Sequence, residues 1–264
     1  MLKPLKWFAS LARKPHRVLA FFVSLWMVLV LGTWHPAVAQ SSISQGTIAE
    51  ILDGTQVYIQ NAQARVNDVA TRGQQVRTGT ARAQLNFNTG AVARLATNSV
   101  LTIGQCAQLQ QGVLLVNGAV NGCTSSVTAG VRGTTYLLKV NEDGEEEITV
   151  LEGEVVVTKA ESPETTTITP PGEGIAPGEG TSEGTVVLTP GQRISTRRGE
   201  PLGSARSLTV EEFLEILAGQ LFDGFLEQLP GMSRIQDVFN RLYPNVPFPG
   251  GSAPSIPRPS NPFF

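Results

Sequence analysis

Val127-Thr128-Ala129-Gly130-Val131-Arg132-Gly133-Thr134 lies at the centre of the most regular pattern in the chain. Val131 can point inward, and Gly133 lets the backbone bend or a neighbouring strand approach closely. Thr134-Thr135 then opens a β-branched run ending in Leu137-Leu138. Arg132 carries a fork of donors able to satisfy carbonyls at a strand end or to pair with a carboxylate. We read it as an organiser of the fold before a ligand contact. Upstream stand Val76-Arg77-Thr78-Gly79 and Ala83-Gln84-Leu85-Asn86-Phe87-Asn88-Thr89-Gly90-Ala91. Downstream stand Val150-Leu151-Glu152-Gly153-Glu154-Val155-Val156-Val157 and Leu188-Thr189-Pro190-Gly191-Gln192.

Working outward, short runs of apolar-polar alternation recur between turn residues, the signature of strands half-buried on one face. The spacing predicts strands at 47–52, 56–60, 82–87, 91–95, 99–103, 112–116, 125–129, 134–140, 147–151, 154–159, 185–188 and 192–196. Asp53-Gly54, Asn117-Gly118 and Asp143-Gly144 fall between such runs and accept the positive φ angles of tight hairpins. The expected class is all-β: many short antiparallel or solenoid-like strands in a roll or sandwich, followed by a C-terminal helical hairpin. A stretch of roughly 150 residues suffices for one hydrophobic core.

The order of these pieces resembles the FecR domain, an exported all-β module of bacterial envelope signalling, over roughly residues 44 to 196. The resemblance implies that Arg77, Gly79, Gly90, Arg132, Gly133, Thr134, Gly153, Pro190 and Gly191 are family positions with mainly structural roles. FecR-type regulators join a cytoplasmic anti-sigma segment, one membrane span and a periplasmic part. This chain departs from that layout, which puts transcriptional control across the membrane in doubt.

Residues 1–39 read as an export label. Lys3, Lys6, Arg13, Lys14 and Arg17 precede an apolar run from Val18 to Leu31 broken only by Ser24, and Ala37-Val38-Ala39 matches a cleavage site. Cleavage between Ala39 and Gln40 is expected, since about 14 apolar residues fall short of the ~20 that span a bilayer. The mature protein would be periplasmic or secreted, with no stable span after processing. The whole chain has a net charge of −2, and losing those five basic residues deepens the acidic balance by five. A nucleic-acid footprint is absent.

Both histidines, His16 and His35, lie inside the label. Ser-His-Asp and Cys-His catalysis and histidine-ligated metal sites are thereby removed from the mature chain. Cys106 and Cys123 are the two cysteines, and an oxidising compartment favours a bond between them over free thiols or half of a metal site. No metal or cofactor is expected.

Glu142-Asp143-Gly144-Glu145-Glu146-Glu147 reads as a solvated turn, its spacing unlike a calcium loop. The β domain is expected over 40–200, with 159–185 an expanded Glu/Pro/Thr/Gly-rich insertion that cannot bury enough apolar area to order itself. Over 207–243 the period changes to that of helices. Thr209 and Glu212 form a capping box ahead of Phe213, Leu214, Leu217, Leu221, Phe225 and Leu229. Ser233 with Gln236 suggests a second cap before Ile235, Val238, Phe239 and Leu242. The proline-rich tail, 244–264, is expected to be extended or disordered.

The function expected is a non-enzymatic exported module that binds or scaffolds a protein or cell-wall polymer of the envelope. Self-association through the helical hairpin is an open option. An accessory role in a FecR-type signalling pathway is the alternative, and a carboxylate-based glycan hydrolase stands behind both.

Overall fold

The computed structural model describes residues 42–160 and 184–249, all within the second of the two units into which the chain divides, Met1–Gln40 and Ser41–Phe264. The export label with its Ala39/Gln40 junction, residues 161–183 of the insertion and the tail from 250 lie outside the described residues.

Two layers of strands are built from one continuous network. The first sheet contains β1 (Gln45–Leu52), β4 (Val69–Thr71), β6 (Arg82–Phe87), β7 (Val92–Leu95), β12 (Thr134–Val140), β13 (Glu145–Glu152), β16 (Gln192–Arg197) and β17 (Arg206–Ser207). The second contains β2 (Val57–Ile59), β3 (Ala62–Gln63), β5 (Gln75–Thr78), β8 (Val100–Ile103), β10 (Gly122–Cys123), β11 (Val127–Val131), β14 (Val155–Lys159) and β15 (Thr185–Leu188).

One strand, β9 (Ala107–Gly118), belongs to both layers. Its first half pairs with β8 and β10 and its second half with β7 and β12. It turns between layers at Gly112, where φ is +87° and an added Cβ would lie 2.6 Å from Ser99 Cα. Only glycine combines that backbone angle with that approach.

The pairing scheme occurs twice. In the first half β5 and β8 pair in the second sheet around the first-sheet hairpin β6–β7, with β1 beside β6 and β2 beside β5. In the second half β11 and β14 pair around the hairpin β12–β13, with β9 beside β12 and β10 beside β11. Each half closes alike: the two parts of β9 on β8 and β7, then β15 on β14 and β16 on β13.

Alternate side chains point into the space between the layers. Leu85, Leu95, Leu114 and Leu138 from the first sheet meet Val76, Leu101, Leu109 and Val157 from the second, all inaccessible to solvent. The turn dipeptides divide by what they join. Asp143-Gly144 closes the β12–β13 hairpin, whereas Asp53-Gly54 and Asn117-Gly118 lie where the chain crosses from one layer to the other. Sequence alone does not separate a hairpin from such a corner, because both need positive φ.

Two helices follow. α1 (Val210–Leu217) starts with the expected capping box, Thr209 accepting from the Glu212 amide and Glu212 from the Thr209 amide. It stops at Leu217 instead of running on to Leu229. α2 (Met232–Leu242) begins one residue before Ser233; Gly231, in the left-handed region, holds the N-cap with no side-chain bond. Phe213, Leu217, Leu221, Leu229, Ile235, Val238 and Phe239 cover Val92, Leu115, Leu137 and Leu151 on the outer face of the first sheet. Phe248 extends the cover, its ring centroid 5.4 Å from that of Phe239, so the tail packs where it begins.

Candidate functional site

The motif residues are placed mostly at the corners that join layers. Thr134, fully buried, starts β12, and Gly153 at φ +85° follows β13. An added Cβ on Gly153 would lie 2.6 Å from Thr134 Cγ2, so the two motif pieces are fitted to each other. Thr134 Oγ1 is the buried side-chain polar atom without a hydrogen-bond partner among the described residues. Gly79 donates its N–H to Gln56 O at 2.8 Å, and Gly90, φ +81°, closes the β6–β7 turn. Gly191 follows Pro190, donates to Val150 O at 2.8 Å and lies beneath Leu242 of α2. Arg77 projects outward from β5, its guanidinium 5.4 Å from the Tyr58 ring centroid and 3.3 Å from Gln60 O.

Arg132 does not act as an organiser. It is exposed, and among the described residues no hydrogen bond or ion pair engages it. The turn that carries it, with Gly133 at φ +68°, aims the side chain at solvent.

That organising role falls to two arginines the sequence reading passed over. Arg94, 2% exposed, donates from Nε to Gln84 Oε1 at 2.8 Å, from Nη1 to Leu221 O at 3.0 Å and from Nη2 to Glu227 O. Its guanidinium lies 4.0 Å from the Phe225 ring centroid. Arg82 pairs with Asp53 and donates from Nη1 to Gln220 O and, at 2.7 Å, to Asp223 O. The Gln220, Leu221 and Asp223 carbonyls, which a helix running to Leu229 would have used internally, are taken by the sheet instead, and Gly224 at φ +82° breaks the helical backbone before Leu229. Burial lowers the Arg94 pKa to about 10, against the opposing pull of Glu50 and Glu227. The available signal was an arginine inside the apolar run Val92-Ala93-Arg94-Leu95-Ala96, since a buried cation requires partners. A cavity of about 420 Å³ opens beside Arg94, lined by Phe222, Phe225, Glu227 and Met232.

The acidic stretch is not one solvated turn. Glu142, Asp143 and Gly144 are exposed, but Glu146 is 2% exposed. Its carboxylate accepts from Thr124 Oγ1, from Ser125 Oγ at 2.6 Å, and from Ser126 N and Oγ at 3.2 Å. Alternation along β13 explains the split: Glu146 faces inward with Ile148, while Glu147 meets Arg193 at 3.3 Å. Cys106 and Cys123 are bonded, with Cα atoms 5.9 Å apart, tying the start of β9 to β10.

The outer faces of the two sheets differ. The first lies under the helices. The second is bare among the described residues, with Val156 and Val187 38% and 50% exposed. In register across seven of its strands, β5, β8, β9, β10, β11, β14 and β15, run Gln75, Thr102, Gln108, Cys123, Thr128, Thr158 and Thr185. Gln75 Nε2 donates to Gln110 Oε1 at 3.0 Å, and Gln110 Nε2 to Thr102 Oγ1 at 3.2 Å. The strands of this sheet contain no Asp or Glu, and their charged residues are Arg77 and Lys159. Glu50, Glu145, Glu146, Glu147 and Glu152 all sit on strands of the first sheet.

Among the described residues, these features define an all-β two-layer protein with helices over one face and a neutral, polar, uncovered sheet on the other. No family model and no curated protein matches the chain. Two crystal structures, each of a candidate anti-sigma factor from Parabacteroides distasonis ATCC 8503, are similar to it. One, 16% identical, aligns over 66% of this chain and 80% of its own with a TM-score of 0.42. The other, 15% identical, aligns over 55% of this chain and 64% of its own with a TM-score of 0.40.

Proposed function

We propose that the chain is an exported, non-enzymatic module of the FecR type that holds an envelope component, a protein or a cell-wall polymer, against the bare face of its second sheet. The observation that carries the reading is the asymmetry of the faces: among the described residues, the helices cover the apolar outer surface of one sheet and leave the other as an extended neutral platform. The order of the motif pieces supports the family reading. The bond between Cys106 and Cys123 fits an oxidising compartment, and the label at 1–39 supplies a route to one. Among the described residues no helix is long and apolar enough to cross a membrane.

Two measurements test this. Mass spectrometry of the protein from its own cell should find Gln40 at the N-terminus; recovery of the unprocessed chain from the cytosol overturns export. Isolated envelope should retain the protein, and Thr128→Glu with Thr158→Glu should release it, while Glu215→Lys, at an exposed position of α1, should not. Equal retention of all three, or none of the wild type, removes the platform as the binding surface.

A further inference from the structure

Resting on that reading, we infer that the bare face binds an uncharged glycan chain laid across the strands. The register row is the reason. Neighbouring strands lie about 4.8 Å apart, and each contributes one side chain to the row at nearly the interval of successive rings in a β-linked glycan. The threonine hydroxyls and glutamine amides both donate and accept hydrogen bonds, as sugar hydroxyls do.

Charge selects the occupant. A polyanion needs a set of cations to replace its counterions, and the strands of this sheet carry only Arg77 and Lys159. A protein partner is anchored by aromatic and arginine side chains filling pockets. Here the one strand-borne aromatic is Tyr58, already beneath Arg77 at the margin. The acidic strand residues are confined to the other sheet, so the described strands of this face present no carboxylate to attract a basic polymer.

The platform is also preorganised. The Gln75–Gln110–Thr102 chain of hydrogen bonds fixes three side chains, and β-branching stiffens the threonines. The Cys106–Cys123 bond secures the two-residue strand β10 between β9 and β11, so the row crosses it without a gap. Less ordering remains for binding to impose. Val156 and Val187 offer apolar area beside the row for ring faces.

Co-sedimentation of the purified full protein with amorphous cellulose, a neutral β-linked glucan, tests the assignment. Saturable binding is expected, and Thr128→Val with Thr158→Val, which keeps shape and removes two hydroxyls, should weaken it by roughly tenfold. Unchanged circular dichroism establishes that this variant folds. No retention on cellulose, or equal retention of the variant, overturns the assignment. So does preferential retention on heparin, or a dimer in sedimentation velocity that the variant dissociates. Face-dependent retention on isolated envelope without cellulose binding would discard the glycan and keep the platform; loss of both would discard the platform.

Discussion

A methyl group added at Gly153 would lie 2.6 Å from Thr134 Cγ2, on a backbone whose φ is +85°. Gly153→Ala therefore combines strain with overpacking, and we expect urea unfolding to report a loss of about 1–3 kcal/mol. Glu212 illustrates the opposite economy, in which one side chain serves several partners. Hydrogen bonds from Arg206 and from the Thr209 amide, with Arg193 nearby, lower its pKa from 4.5 to about 2. A proton thus binds the unfolded chain more readily than the folded one. The stabilisation is complete above pH 4.5 and lost as the pH falls through 2. Because the group is largely solvent-screened, its worth is no more than about 1 kcal/mol. Thermal unfolding of Glu212→Gln should show a shallower decline than wild type across that acid window, the difference shrinking in high salt.

At the scale of elements, the segment between α1 and α2 is held by the sheet below it. Arg94→Met would leave the carbonyls of Leu221 and Glu227 without their donor. A loss of about 3 kcal/mol is expected, together with faster amide exchange over 218–231 than over α2. Unchanged exchange in that segment would show that Arg94 does not hold it. The strands themselves were legible: 82–87, 134–140 and 185–188 form at the residues where alternation places them. The short strands β3, β10 and β17 left no such trace, because two residues make no period and their pairing is set by neighbours distant in sequence. The start of α1 was readable from its capping box. Its end had only Gly219 and Gly224 to mark it, the latter at φ +82°, while the donor to the Gln220 and Asp223 carbonyls, Arg82, is distant in sequence. Arg94, not Arg132, is the buried and partnered arginine for a similar reason: a motif marks a position in a turn, while burial is decided by what packs above.

For the whole molecule, the helices are a cover before they are anything else. Truncation after residue 207 would expose Val92, Leu115, Leu137 and Leu151 together on the outer face of the first sheet. A contiguous apolar surface of that kind drives association. The truncated protein should elute as large aggregates in size-exclusion chromatography and bind a hydrophobic dye that the intact protein ignores. A monomeric, dye-negative truncation would show that the sheet tolerates solvent there. The bare face carries the candidate site for the complementary reason, and it was the part least visible beforehand. Thr102, Cys123, Thr128 and Thr158 come from scattered motifs and become neighbours only through the strand order.

The bend at Gly112 gives this architecture an unusual kind of indivisibility. The final segment of one half is the opening segment of the next, written once and read twice. A cut at that joint leaves one half short of a pairing partner, so the two must stand or fail in concert.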